Sequence, residues 1–360
     1  MSKDHINATK KLAKLLHDNP KQKVIFLVGA GISTSCGIPD FRSPETGLYH
    51  NLSKLNLPYA EAVFDIDFFE EKPRPFYMLA SELYPGKFKP SKFHLLLKLF
   101  QDQKRLQRIY TQNIDTLERQ AGISQAYIIE AHGSFAENHC INCNKIYDMD
   151  IFKKHLDKYQ KEPIDKNFAR CRSCNGLIKP NIVFFGEDLP KRFFATWDSD
   201  LETMDDKETR PIVIVAGTSL TVYPFASLPT EVSKDTTRAL INRELVGDFK
   251  ASPRKTDIII ECNSDDAADI IAKELGWSKQ LDDLIKEHDL LTTIPDVTDE
   301  LESISKELDK LTIKEDDPKA GEEESSDENK KENKSNSSKE NTQTEQKIPA
   351  KKDFSESKST

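Results

Sequence analysis

The fold is set by the run Val24-Ile25-Phe26-Leu27-Val28-Gly29-Ala30-Gly31-Ile32-Ser33-Thr34-Ser35-Cys36-Gly37-Ile38-Pro39-Asp40-Phe41-Arg42. Five apolar, mostly β-favouring residues break at Gly29-Ala30-Gly31, as a buried parallel strand does on entering a tight turn. Small residues there let backbone N–H groups approach a pyrophosphate, and a helix N-terminus just beyond would favour its charge. The match to the dinucleotide fingerprint is incomplete. Thr34 stands in place of the third glycine, and no carboxylate closes a second strand about 20 residues on. On these residues alone, nucleotide binding and a plain strand-turn-helix weigh equally. Gly37-Ile38-Pro39-Asp40-Phe41-Arg42-Ser43 then gathers a proline, an acid, an aromatic and an arginine where a helix should run. That points to an active-site loop folding over a ligand.

Outward from this run, short apolar strands recur at 108–110, 126–130, 212–215, 238–241 and 257–260. Each ends in small or polar residues: Thr111-Gln112-Asn113-Ile114-Asp115, Ala131-His132-Gly133-Ser134, Gly217-Thr218-Ser219, Asn242-Arg243-Glu244 and Cys262-Asn263-Ser264. Open α/β sheets bind ligands at such strand ends. Strands alternating with helical segments predict an α/β fold with a doubly wound parallel sheet. Residues 5–18 read as a surface helix, and 44–104 as a helical insertion rich in aromatics (Phe64, Phe68, Phe69, Phe76, Tyr77) and broken by prolines. Past Trp277, Val297, Leu301, Ile304, Leu308 and Leu311 make one apolar helical stripe. From Glu315 to Thr360 the chain is almost wholly Glu, Lys, Asn, Ser and Thr, too polar to offset its chain entropy by burial, and is expected to be disordered.

The net charge of −9 gives no electrostatic reason to expect direct nucleic-acid binding. No run of 18 apolar residues exists, and Met1 to Lys23 lacks a hydrophobic signal core, so a soluble, intracellular protein away from membranes is expected. Four of the six cysteines form Cys140-x-x-Cys143 and Cys171-x-x-Cys174. Two such pairs supply four thiolates for one tetrahedral, coordinatively full and therefore structural zinc. The 27 residues between the pairs exceed the roughly 15–20 of usual ribbons, so a longer excursion joins the knuckles. His132, ending a buried strand, is the candidate base, with an ordinary pKa of about 6.5 suited to neutral pH. The competing reading is a packed or surface histidine. Asn113 and Asp115 equally suit an N-cap and a turn. Ile182-Val183-Phe184-Phe185-Gly186-Glu187 reads as a core strand or as an edge that could pair with an extended peptide, Val183 and Phe185 sharing a face. Glu244, an acid after a strand, could hold ribose hydroxyls.

Taken together and in order, GAGIS–GIPDFR, TQNID, HG, the two C-x-x-C pairs, IVFFGE, GTSL and INRE resemble the sirtuins, the NAD-dependent protein deacylases. The resemblance covers about 5–276 and is nearest to the class I, fungal cytosolic and nuclear branch. It implies a Rossmann core (about 22–43, 105–132 and 182–276), the helical insertion (about 44–104) and a zinc module (about 133–181) within a catalytic domain of 1–276. A helical regulatory segment, 277–314, and the tail, 315–360, follow. The resemblance assigns Gly29, Ala30, Gly31, Ile32 and Ser33 to the NAD phosphates, and Pro39, Asp40, Phe41 and Arg42 to the flexible cofactor loop. Gln112, Asn113, Ile114 and Asp115 line the nicotinamide pocket; Gly217, Thr218, Ser219, Asn242, Arg243, Glu244 and Cys262 hold the adenosine half. His132, with Asn113 and Asp115, is catalytic, and Val183, Phe185, Gly186 and Glu187 clamp the peptide. The apolar Phe76, Tyr77, Met78 and Leu79 are expected near the acyl pocket, favouring neutral acyl groups.

The implied reaction is NAD-dependent removal of acetyl groups from histone tails or cytosolic proteins, with a part in transcriptional silencing and with cytoplasmic and nuclear, predominantly cytoplasmic, residence. Two rivals are an NAD-dependent ADP-ribosyltransferase and a catalytically silent zinc-ribbon adaptor. For the C-terminal segment the readings are autoregulation by the Leu301–Leu311 helix, a leucine-rich export signal (Leu281, Leu284, Ile285, Leu290, Leu291) bound by an export receptor, or plain packing. Oligomeric state is left open.

Overall fold

In the computed structural model, which describes residues 1–38, 57–85 and 87–288, the strands in chain order are β1 (Val24–Val28), β2 (Leu106–Thr111), β3 (Ile128–Glu130), β4 (Gly133–Cys140), β5 (Ile146–Tyr147), β6 (Ile178–Ile182), β7 (Ile212–Ala216), β8 (Arg238–Asn242) and β9 (Ile258–Glu261). Six of them form one parallel sheet in the order β3-β2-β1-β7-β8-β9. β1 is buried along its whole length because both its faces are covered. Val24, Phe26 and Val28 point into one core, with the helices Lys3–Asp18, Lys92–Asp102, Ser264–Glu274 and Ser278–Glu287. Ile25 and Leu27 point into the other, with Phe193 and Trp197 of the helix Lys191–Asp205. The doubly wound expectation holds.

The order of the strands reverses between β1 and β7, and there the two turns that follow them meet. Gly31 N–H donates to the Gly217 carbonyl at 2.8 Å. A Cβ on Gly31 would lie 2.6 Å from Gly217 Cα, and one on Gly29 would lie 2.8 Å from the Gly217 carbonyl oxygen. Backbone meets backbone here, so no side chain can give way.

A third core belongs to a smaller lobe. It joins the helices Ile66–Glu71, Arg74–Leu83 and Met149–Lys161 to a three-stranded antiparallel sheet, β5-β4-β6. Its centre is aromatic: Phe184 meets Phe76 at 4.9 Å, Phe69 at 5.6 Å and Phe64 at 5.8 Å, edge to face.

Three expectations change. Lys92–Asp102, assigned to the helical insertion, packs in the sheet's core through Phe93, Leu96, Leu97 and Phe100. The run 182–187 is not a strand: β6 ends at Ile182, Phe185 makes one isolated bridge to Asp65, and a turn at Gly186 (φ +95°) ends the extension. Phe76, Tyr77 and Leu79 are buried in the lobe's core. Leu281 and Ile285 are buried too, beside a Trp277 ring that meets Phe100 at 5.2 Å. The stripe Val297–Leu311, Leu290, Leu291, the loop Pro39–Arg42 and the tail 315–360 lie outside the described residues.

Gly31→Ala should therefore lower the unfolding free energy by about 1–3 kcal/mol through overpacking. Urea unfolding checks this, and a loss under about 0.5 kcal/mol would mean that the two turns can separate.

Candidate active site and metal centre

A cavity of about 580 Å³ opens at the carboxyl ends of the parallel strands, a volume suited to a small-molecule ligand. Its floor comes from Gly29, Ala30, Gly31 and Thr34 after β1, Gln112, Asn113 and Ile114 after β2, and Gly217, Thr218 and Ser219 after β7. Asn242, Arg243 and Glu244 follow β8, and Cys262, Asn263 and Ser264 follow β9. Across the opening stand Phe64, Ile182, Val183, Phe184, Phe185, Gly186 and Glu187. His132 sits where the two sides meet, between β3 and β4.

The glycine turn works differently from its sequence reading. The N–H groups of Gly29, Gly31, Ile32 and Ser33 all donate to protein carbonyls, of Ala216, Gly217, Gly29 and Ala30 respectively. The glycines thus contribute room and close packing rather than donors. Ile32 and Ser33 are buried behind the wall, and Asp115 also lies behind it. Ser33 Oγ donates to Asp115 Oδ2 at 2.7 Å, Asn113 Nδ2 donates to the Gly29 carbonyl at 3.2 Å, and Leu117 N–H donates to Asp115 Oδ1 at 3.0 Å. This network fixes the amide of Asn113 in the wall. Deeper still, burial raises the Glu118 carboxyl to about 8 and lowers His94 to about 3. Gln112 Nε2 donates to Thr218 Oγ1 at 2.8 Å, tying the β2 turn to the β7 turn above β1.

His132 has one fixed tautomer. Its Nδ1 lies 3.1 Å from the Gln112 carbonyl, which can only accept, so Nδ1 carries the proton. Nε2 is then an acceptor, and it has no protein partner. Burial lowers the ring's pKa against the opposing bond to Gln112, so the neutral form prevails at neutral pH. A buried, unpartnered lone pair on a cavity-lining ring oriented from behind can take a proton from a hydroxyl bound against it.

The four cysteines of the smaller lobe form a second centre. Their sulfurs lie within 4.8 Å of one another, with Cys140–Cys174 at 3.4 Å and Cys143–Cys171 at 3.6 Å. A zinc ion bonded to four sulfurs at about 2.3 Å needs sulfurs about 3.8 Å apart, so the set fits one structural zinc with no open position. Two matching turns build it. Asn144 N–H donates to the Cys140 carbonyl and Asn175 N–H to the Cys171 carbonyl, both asparagines being left-handed (φ 54° and 61°). Tyr147 Oη, at 3.1 Å, and Ser173 N–H, at 3.3 Å, donate to Cys171 Sγ from outside.

Sequence reasoning missed Thr34, Leu189, Val222, Tyr223, Ile241, Val246, Asn263 and Ser264 as wall residues. Asn263 and Ser264 were findable, since they extend a strand-end cluster; Tyr223 projects from a cis Tyr223–Pro224 bond that no local pattern announces. The repeated C-x-x-C-N was readable as well. Phe76 to Leu79 do not reach the cavity; its apolar side is Phe64, Ile114, Ile182 and Phe184.

A sequence model of the Sir2 family matches residues 29–224. Among curated proteins, the NAD-dependent protein deacetylase HST2 of Candida albicans is 57% identical over 268 residues, covering 74% of this chain and 75% of that one. The NAD-dependent protein deacetylase hst2 of Schizosaccharomyces pombe is 45% identical, covering 84% and 86%. NAD-dependent protein deacetylase sirtuin-2 of Danio rerio is 44% identical, covering 78% and 75%.

A strong chelator should release about one zinc per chain, and the smaller lobe should lose its fixed packing. Metal analysis with near-ultraviolet circular dichroism reads both; full retention of that spectrum after zinc loss would contradict a structural role.

Proposed function

This chain belongs to the Sir2 family, in the class I branch that includes the fungal HST2 proteins, and from that premise we propose that it is an NAD-dependent protein lysine deacetylase. NAD is its co-substrate, and acetyl-lysine proteins are its substrates. The observation that carries the reading is His132 Nε2, an unpartnered acceptor on a ring held by the Gln112 carbonyl at the junction of the cavity's two sides.

NAD supplies a glycosidic bond to a positively charged nicotinamide, a good leaving group. The chain's residues divide the remaining work. Gly29, Ala30, Gly31, Gly217, Thr218 and Ser219 give the phosphates and the adenosine half a close-fitting floor, and Asn242 and Glu244 reach the ribose. The exposed Glu244 fills the role of the carboxylate absent after the second strand. Gln112, Asn113 and Ile114 enclose the nicotinamide, and Ser33 and Asp115 hold them from behind. Pro39, Asp40, Phe41 and Arg42, outside the described residues, are assigned to the cofactor by the family resemblance alone. Val183 to Gly186 take the peptide. Holding the acetyl oxygen against ribose C1′ supplies much of the rate through proximity. His132 then removes a proton from a ribose hydroxyl. The products are free lysine, nicotinamide and acetylated ADP-ribose, one water being consumed.

Histone tails and cytosolic proteins are the substrates proposed, with a silencing role in the nucleus and mainly cytoplasmic residence. Export through the leucines at 281–291 requires the helix Ser278–Glu287 to leave the core that buries Leu281 and Ile285. The neutral-acyl preference rests on the apolar Phe64, Ile114 and Phe184.

His132→Ala should cut deacetylation by about 10²-fold or more, the scale of general-base catalysis, with zinc content and fold retained. Mass spectrometry of acetylated ADP-ribose from NAD and acetyl-lysine peptide reads this, and also separates deacetylation from ADP-ribosyl transfer to protein. The sign of the His132 shift predicts the pH profile. Because burial lowers its pKa, the base stays neutral below the ordinary value, and the acid limb of kcat/KM should bend below about 6.5. A bend above that value would assign the limb to another group.

A further inference from the structure

Lys179 is the least expected side chain in the smaller lobe. It lies on β6, 0% exposed, in register with His139 of β4. Its ammonium donates to Glu187 Oε2 at 2.8 Å, to the Ile182 carbonyl at 2.6 Å and to the Pro180 carbonyl at 3.2 Å, and stands 4.3 Å from the Phe184 ring centre. An ammonium so placed is costly unless its partners justify it. All of them belong to the segment that faces the cavity or lead directly into it.

Glu187 completes the arrangement. Its Oε2 also accepts from Phe184 N–H at 2.8 Å, while Glu187 N–H donates to the Phe184 carbonyl at 3.0 Å. The carboxylate is therefore turned toward Lys179 and the turn's own backbone, and only 24% of the side chain is exposed. Burial raises the Glu187 carboxyl, yet the His139 ring 3.8 Å away and the bonds from Lys179 and Phe184 N–H hold it at about 2. Burial also lowers Lys179 against the pull of Glu187. With two donors on its Oε2, Lys179 and the Phe184 N–H, Glu187 is ionised at neutral pH. On the flank, Val183 N–H donates to the His132 carbonyl, and Phe185 exchanges backbone bonds with Phe64 and Ile66, while its ring stands 43% exposed.

We infer that Lys179 is a positioning residue for substrate: through Glu187 it holds the Phe184–Glu187 turn in the shape that receives an acyl-lysine peptide. Glu187 thereby acts as the far end of a buried tether, not as a ligand of the peptide. The inference rests on the deacetylase reading with the peptide at 183–186.

The test uses the zinc-loaded full chain with NAD and one acetyl-lysine peptide, comparing wild type, Lys179→Met, Glu187→Gln and the double variant. Lys179→Met should raise the peptide KM about tenfold or more, while the NAD KM and kcat stay within about twofold, the pattern of lost ground-state binding. The double variant should be no worse than Lys179→Met, since removing both partners strands no buried charge. A second measurement needs no turnover: chymotrypsin should cut after the exposed Phe185 about tenfold faster in Lys179→Met, as it does when local opening becomes cheaper. A peptide KM and a cleavage rate both within about twofold of wild type would overturn the tether, as would additive single-variant effects. If wild type itself releases no nicotinamide in response to acetyl-peptide, the functional reading fails; the cleavage rates still decide whether Lys179 holds the turn.

Discussion

Everything at this site depends on two backbone turns touching without side chains between them. Gly29 and Gly31 after β1 lie against Gly217 and Thr218 after β7, close enough that a single added carbon would strike main-chain atoms. β1 and β7 are the pair at which the sheet's order reverses. Reversal splays the chain to either side and opens a crevice, and the glycine contact keeps that crevice's floor low and continuous. The N–H groups of Gly29 and Gly31 are spent on this contact, and those of Ile32 and Ser33 within the turn itself. The polar side chains beside it add recognition, and the Gln112–Thr218 bond binds the second turn into the same floor.

The second dependency is covalent. β4 begins at Gly133, directly after His132, and ends at Cys140, the first thiolate of the metal centre. β6 returns beside it, from Ile178, facing Cys140, to Ile182, facing Gly133. One ribbon thus carries the base at one end and the metal centre at the other, and the segment across the cavity continues from its return strand. A closed four-sulfur centre that never meets substrate still bears on where the reacting groups stand, because the lobe around it is otherwise held by aromatic packing and one buried ion pair.

Much of this was legible in the sequence, for reasons that differ by residue. β1 was readable because five consecutive apolar residues ending in Gly-x-Gly suit few structures other than a doubly covered strand. The cysteine quartet was readable because thiolate spacing restricts geometry directly. His132, Asn113 and Gln112 were placed because the ends of parallel strands share one edge of the sheet. The misreadings share another cause. Phe76 and Tyr77 read as pocket lining, and Lys92–Asp102 as part of the insertion, because apolar residues look alike whichever core buries them. Ser33 and Asp115 were put in the wall rather than behind it, since sequence gives adjacency along the chain but not the direction a side chain takes. The 182–187 run has strand composition, yet a left-handed Gly186 and the inward carboxylate of Glu187 fold it into a turn.

The two cysteine turns hang on β4 and β6, whose register is fixed, so the stretch between them is topologically a side excursion. Its helix, Met149–Lys161, is anchored by Phe152, Leu156 and Tyr159, but Glu162, Pro163, Asp165 and Lys166 beyond it are exposed. Extra residues there would leave both anchors where they are, and each doubling of such a loop costs only about 0.6 kcal/mol. Chain length at this point is thus uncoupled from catalytic geometry. That makes it the natural place for lineages to diverge in length, and for a tag or fused domain to be carried without disturbing the reaction.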